Sequence, residues 1–505
     1  MKIIKLLVLF LTVFSCSDKP KRTVHVNEQS AKPNILMILI DDLKPTLGTY
    51  GDSYVVSPNI DNLASSGMRF NKAYANQAVC VASRYNILLG SRSTSTGIYG
   101  FANEFRDVIP DAVTMPQYFQ KAGYHTEAIG KVFHVGHGNT NDEASWSVPH
   151  HKEKVIEYLV PESTGRKLTR EEAFFENTRL YIEDTPSNKE LPRGAAWESP
   201  DVVDDAYADG RSANHAIDRL RSLKKNQDKP FFMALGFARP HLPFSVPKKY
   251  WDMYDPSTLP MPKFEGKPEG APDFVIKKGI EIDQFEPIPE KWGIYPDSIK
   301  RKLIHGYYAS VSYMDAQLGR VMDELKRLEL DKNTIIVLWG DHGWHLGDHA
   351  IWTKHTNFEQ ATRIPLLIVA PGVTTPNSST EQIAESVDVF PTLADLAGLK
   401  IPDNSSCPQP IDGVSLLPIL KKQSEEVKTH AYHCFTMGGY LGEAIRTKNH
   451  RMVRWSNLKD NNDVIYELYD FENDYSETKN IAEANPEKVK ELVTILDGYP
   501  KAVIK

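Results

Sequence analysis

Long hydrophobic runs are almost missing from this chain. Beyond the first sixteen residues, no stretch is long and apolar enough to cross a bilayer, which takes about 20 apolar residues as a helix. A basic excess is missing too. Fifty-nine Lys and Arg stand against 66 Asp and Glu, a net charge of −7, so nothing points to a nucleic-acid partner, which favours a strongly basic face. No internal repeat, heptad or low-complexity tract is present, which excludes solenoids and coiled coils. Cysteine is scarce, four in 505 residues, too few for a disulfide-built scaffold. What remains is an ordinary globular composition, 41% hydrophobic and 25% charged. The length suits two domains, or one large α/β domain with an appendage.

The first sixteen residues read as an address. Lys2 and Lys5 give a basic start, and residues 6–14 form a short apolar run. Val13-Phe14-Ser15-Cys16 follows, a small residue directly before cysteine, which resembles a bacterial lipobox. It implies an exported lipoprotein, cleaved before Cys16 and membrane-anchored by lipid on that residue. Ser17 to Lys32 is polar and lacks apolar periodicity, as expected of a tether. Export permits a disulfide between Cys407 and Cys434; two unpaired thiols fit the sequence equally well.

Asn34-Ile35-Leu36-Met37-Ile38-Leu39-Ile40 is a nearly continuous apolar run, as in a strand buried on both faces of a parallel sheet. Further strands are predicted at 124–129, 231–237, 334–339 and 365–370. Ser57-Pro58 marks a helix start and Gly67 its end. Ile304, Tyr308, Val311, Met314, Leu318, Val321 and Leu325 recur at helical spacing. Strands alternating with helices predict an α/β sandwich with a mainly parallel sheet. Ligand chemistry in such sheets lies beyond the carboxyl ends of the strands. Asp41-Asp42, Lys131 with His134, Arg239-Pro240-His241 and Asp341-His342-Gly343 each follow a predicted strand. Residues 137–200 and 255–297 read as long irregular insertions, of the kind that shape a binding site. A catalytic domain is expected over 33–424 and a smaller region over 425–505.

Asp41, Asp42, Asp341 and His342 make a plausible divalent-cation site, and an oxygen-rich donor set favours calcium. Zinc is a competing reading, because His342, His345 and His349 crowd together, but no cysteine lies near them in sequence.

Cys80-Val81-Ala82-Ser83-Arg84, followed by Leu88-Leu89-Gly90, is close to the C-x-P-x-R signature of the formylglycine-dependent type I sulfatases. Gly130-Lys131-Val132-Phe133-His134, Arg239 to Phe244, and Asp341-His342-Gly343-Trp344 through Trp352-x-Lys354 also match that family. These phrases resemble its iduronate-2-sulfatase branch, over about residues 32–485. Ala82 stands where proline is usual, and Leu89 replaces the threonine common before Gly90. The resemblance implies an alkaline-phosphatase-like fold with a small C-terminal sheet. It implies oxidation of Cys80 to formylglycine by a maturation enzyme that reads this segment, the aldehyde hydrate being the nucleophile and a cation ligand. Arg84 is then expected to offset the charge on that oxygen, and Lys131 and Lys354 to neutralise the sulfate. His241 would protonate the leaving sugar oxygen, and His134 would accept the proton that releases sulfate. The implied substrate is a sulfated polysaccharide or its oligosaccharides, algal such as ulvan, or a glycosaminoglycan.

Two other readings stand beside this one. A phosphonate or phosphodiester hydrolase of the same superfold would share the metal edge, and relative rates on sulfate and phosphate esters separate the two. A glycan-binding lipoprotein without turnover would keep Cys80 as an unmodified thiol.

Overall fold

The computed structural model describes residues 32–504, except 138, 177–189, 227, 277, 278, 280, 290–294 and 461. Cys16, its leader and most of the tether lie outside the described residues. Residues 33–505 form one compact unit.

The seven strands of the main sheet are β1 (Asn34–Ile40), β2 (Met68–Tyr74), β3 (His125–Gly130), β4 (Phe231–Phe237), β5 (Thr334–Gly340), β6 (Arg363–Val369) and β7 (Ser378–Glu385), in the spatial order β7-β2-β6-β5-β1-β4-β3. β1 pairs in parallel with β4 and β5, β3 with β4, and β2 with β7. Only β6 runs against its neighbours. The alternation of side chains along β1 divides the interior. Leu36, Ile38 and Ile40 enter one hydrophobic core, while Ile35, Met37 and Leu39 enter another.

Helices bearing on these cores and on the site are, in chain order, α1 (Pro58–Ser65), α2 (Cys80–Leu89), α3 (Arg170–Glu176), α4 (Ala208–Lys225), α5 (Asp297–Arg327), α6 (Val389–Leu396) and α7 (Pro486–Leu496). α1, α4 and α5 cover the first face of the sheet, and α2 and α6 cover the second. α1 starts at Pro58 as expected, but Ser57 does not cap it. The Asp315 carboxylate on α5 takes the amides of Asn59 and Ile60, at 3.1 and 2.7 Å, so a tertiary contact satisfies the helix end.

A second, antiparallel sheet follows: β8 (His430–Met437), β9 (Tyr440–Thr447), β10 (His450–Asn457) and β11 (Val464–Asp470). One face packs Ala444, Val453 and Trp455 on Ile351 and Phe358. The other packs Ile445, Met452 and Leu468 on Leu492 and Leu496 of α7. This is the α/β architecture with a smaller C-terminal sheet and helix. No helix among the described residues is long and apolar enough to cross a membrane. Cys407 and Cys434 are buried free thiols.

Candidate active site

β1, β3, β4 and β5 are neighbouring parallel strands, so their carboxyl ends meet at one edge. The amide of Asp41 bonds to Phe237 O at 3.2 Å, that of Asp341 to Ile40 O at 3.1 Å, and that of Lys131 to Gly236 O at 3.1 Å. Each strand thus delivers its first polar residue to the same place. The approach at β3 and β4 demands glycine. A Cβ on Gly130, whose φ is +71°, would lie 2.1 Å from Gly236 O, and one on Gly236 would lie 2.0 Å from Lys131 O. Asp42 has φ 57°, a left-handed turn that aspartate tolerates. Tyr307 on α5 secures the turn by donating to Asp42 O at 2.8 Å.

Cys80 is the first residue of α2, and no side chain caps that helix start. Its amides and dipole favour an anion there. Cys80 Sγ lies 3.2 Å from His342 Nε2. One ligand atom each from Asp41, Asp42, Cys80 and His342 lie within 4.8 Å of one another. Asp341 stands beside this cluster. Its Oδ1 accepts from the amides of Asp42 and His342, at 3.0 and 2.9 Å, and its Oδ2 from Arg84 Nε at 3.1 Å. Arg84, one turn along α2 from Cys80, also reaches Asp41 Oδ1 at 3.2 Å and the carbonyls of Lys131 and Val132. Lys131 pairs with Asp41. Lys354 Nζ lies 3.1 Å from Asp42 Oδ1 and 2.6 Å from Glu281 Oε1.

The acids are packed too densely for their own counterions. Burial, with Asp41 and Glu281 alongside, pushes Asp42 well above the carboxylate range against the pull of Lys354. The only ionic partners of Asp42 Oδ1 among the described residues are Lys354 and, at 3.4 Å, His342 Nδ1. Asp41 is buried as deeply, yet Lys131, His241 and Arg84 hold it well below that range. Burial pushes the Cys80 thiol up to about 12, so unmodified Cys80 is no thiolate at neutral pH.

His241 hangs on a fixed loop. Asp209 accepts the amides of Ala238 and Arg239 at 2.8 and 2.9 Å, and Arg239 Nη1 donates to His241 O at 2.7 Å. The ring faces Leu242 O with Nδ1 and Glu281 Oε1, at 2.9 Å, with Nε2. Burial, Lys354 and Lys131 lower it to about 4. His134 is buried, its Nδ1 has no hydrogen-bond partner, and burial with Lys131 and His137 keeps it neutral. A cavity of about 160 Å³ opens over Cys80, and His134, His241 and Lys354 also line it.

All ten residues expected from sequence therefore converge on this edge. His345 and His349 do not. His345 bonds Thr356 Oγ1 and Asp348 O, and His349 stacks on Phe358. Sequence reasoning missed Glu281, Glu171 and His137, which also line the cavity. They sit in the irregular insertions, where no periodicity marks a position; only the length of those loops hinted at a site.

The segment carrying Lys354 is held by the second sheet. Asn357 bonds Gly442 O and His433, at 3.2 and 3.1 Å, and its carbonyl accepts from Arg451. Glu359 pairs with Arg446 at 2.9 Å, and its amide bonds Glu477 at 2.9 Å.

This sandwich, with a mainly parallel sheet and a smaller antiparallel one, defines an alkaline-phosphatase-like fold. The fold is shared with a solved structure holding its substrate D-glucosamine-2-N,6-O-disulfate, with a TM-score of 0.68 at 21% identity over 92% of this chain and 97% of that one. The sulfatase family profile matches residues 33–399, so the chain belongs to the sulfatase family and is a sulfuric ester hydrolase. A profile for the C-terminal region of N-sulphoglucosamine sulphohydrolase matches residues 347–498. Iduronate 2-sulfatase of Mus musculus is 36% identical over 76% of this chain and 71% of its own length. A sulfatase of Formosa agariphila is 31% identical over 97% and 90%. An ulvan-active sulfatase of the same organism is 27% identical over 89% and 78%.

Proposed function

We propose that the chain hydrolyses sulfate esters on sugars of a sulfated polysaccharide or its oligosaccharides, using formylglycine at position 80 and one calcium ion. The observation that carries this reading is the placement of Cys80. It opens α2 among Asp41, Asp42 and His342, yet its own thiol is held protonated by burial. A residue so placed is poorly suited to thiol chemistry and well suited to a modified nucleophile. The donor set fits a hard cation: the carboxylates of Asp41 and Asp42 converge with His342 and residue 80, with Asp341 bordering them.

When present, the aldehyde hydrate supplies a nucleophilic oxygen, and the cation lowers its pKa. Residues of the chain do the rest. Arg84, fixed by Asp41 and Asp341, offsets negative charge at the start of α2. Lys131 and Lys354 neutralise the sulfate oxygens as charge moves onto them. In its protonated form, His241 donates a proton from Nε2 to the departing sugar oxygen. His134 accepts one, with Nδ1 as its unpartnered nitrogen. Phe101 and Phe174 add aromatic walls to the cavity.

Likeness to iduronate 2-sulfatase supports a 2-sulfated uronic acid or a related position, in a glycosaminoglycan. Likeness to an ulvan-active sulfatase supports algal material, which we favour slightly. In this reading the enzyme is exported and held to a membrane by lipid on Cys16. Mass spectrometry of protein made with a maturation enzyme should show residue 80 without its thiol; active protein with a fully alkylatable Cys80 would refute the modification. Desulfation of defined sulfated oligosaccharides identifies the sugar. Turnover of none, with residue 80 modified and calcium bound, would refute the sugar sulfatase reading.

A further inference from the structure

The cavity over Cys80 contains two carboxyl groups that the chemistry above leaves unused, Glu281 and Glu171. Glu281 is committed. Its Oε1 takes both His241 Nε2 and Lys354 Nζ, at 2.9 and 2.6 Å. Glu171 is not. It sits on α3 and is 4% exposed. Its nearest ionic contact among the described residues is His137 Nε2 at 3.9 Å, beyond hydrogen-bond reach. A buried carboxyl gains from a partner that reaches it, and Glu171 lines the cavity over Cys80 that a substrate would enter. Burial, with Glu281 near, pushes it up to about 8, so at neutral pH it is mostly a neutral carboxyl, both donor and acceptor. Around it, Phe101 and Phe174 offer apolar faces, and Gln284 and His355 offer polar ones, a lining suited to a sugar ring.

We propose that Glu171 is a specificity-determining residue that takes a ring hydroxyl of the sugar bearing the sulfate. The proposal rests on the sulfatase reading and deepens it, since it assigns this wall to a hydroxyl. A uronate carboxylate does not suit the wall, because the fixed charge of Glu281 lies close by and repels it. A hydroxyl is neutral and complements a carboxyl as donor and acceptor at once.

The test uses Glu171→Ala and Glu171→Gln on two substrates: the best sugar sulfate of a defined panel, and an activated aryl sulfate without ring hydroxyls. Glu171→Ala should raise KM for the sugar about tenfold, the scale of one hydrogen bond in a dry site. The aryl sulfate should stay within about twofold for both variants. Glu171→Gln, near-isosteric and neutral, should keep the sugar KM within about threefold, since donor and acceptor remain. A sugar analogue lacking the hydroxyl beside the sulfate should bind about tenfold worse to the unaltered enzyme, with little further loss in Glu171→Ala. Equal losses on sugar and aryl sulfate would make Glu171 a structural residue and overturn the proposal. So would a Gln variant as impaired as the Ala variant, or an unchanged sugar KM. Calorimetry of the desulfated sugar with Cys80→Ala protein needs no turnover. There Glu171→Ala should weaken binding about tenfold, and equal binding overturns the proposal whatever becomes of the sulfatase reading.

Discussion

Replacing His241 with Ala should separate leaving-group chemistry from charge neutralisation. The imidazole is buried, and its Nε2 lies 2.9 Å from Glu281 Oε1. Lys354 Nζ meets the same oxygen at 2.6 Å, so a cation stays close when the ring is removed. A positioned general acid contributes about 10²–10⁴-fold. With Lys354 still in place, the loss on a sugar sulfate should fall in the lower part of that range, about 10²–10³-fold. At 1.36 kcal/mol per decade, that is about 2.7–4 kcal/mol of transition-state stabilisation. An activated aryl sulfate leaves as a stable phenolate and should lose less than about tenfold on the same scale. The assay is kcat/KM for both substrates, in variant and parent, with melting temperatures to confirm folding. A pH profile adds a second readout. Burial, Lys354 and Lys131 lower His241 to about 4 in the resting site. The acid form is therefore lost as pH rises through that value, well to the acid side of a free histidine. The sugar profile should show this descending limb, and the His241→Ala profile should lack it. Equal losses on both substrates would remove His241 from the acid role.

Lys354→Ala should cut both substrates by about 10²-fold or more, because both carry the same transferring group; loss on the sugar alone would make Lys354 a sugar contact. Asp341→Ala removes the acceptor for two amides and Arg84, and should abolish turnover and lower bound calcium, measured by elemental analysis. Zinc at one equivalent in active enzyme would overturn the calcium assignment. Glu385 is buried between Arg92 and Lys428, at 2.9 and 2.6 Å, and these cations hold it far below its ordinary 4.5 despite burial. Its contribution is thus complete above about pH 4.5 and is lost as pH falls through the folded value. Glu385→Gln should cost about 3–5 kcal/mol at neutral pH, with the gap narrowing in acid; a gap that widens there would refute the sign.

The parts legible in the sequence were those with one dominant cause. β1 and β4 are buried on both faces, so each reads as an unbroken apolar run. The acids and bases at their ends stand out because strand ends place them. β2 and β7 were not legible. Each interleaves polar residues among its buried ones, and β7 is an edge strand whose first half is partly exposed. The reversed direction of β6 has no local signature, since pairing direction is a tertiary fact. Glu281 and Glu171 were hidden for a different reason. Their meaning comes from the cavity, which exists only after two distant insertions fold over the sheet edge.

The hold of the second sheet on the Lys354 segment has a consequence for how such chains diverge. Lys354, proposed to hold the sulfate, is moored through Asn357 and Glu359 to Arg446, Arg451 and His433, residues remote from it in sequence. Changes that look like drift on the far sheet are therefore felt at the transferring group. Splicing this catalytic half onto a relative's C-terminal half would transplant an active site with one wall unfastened. Residues on both sides of position 424 belong to one compact unit, so inheritance of the activity requires both sides together.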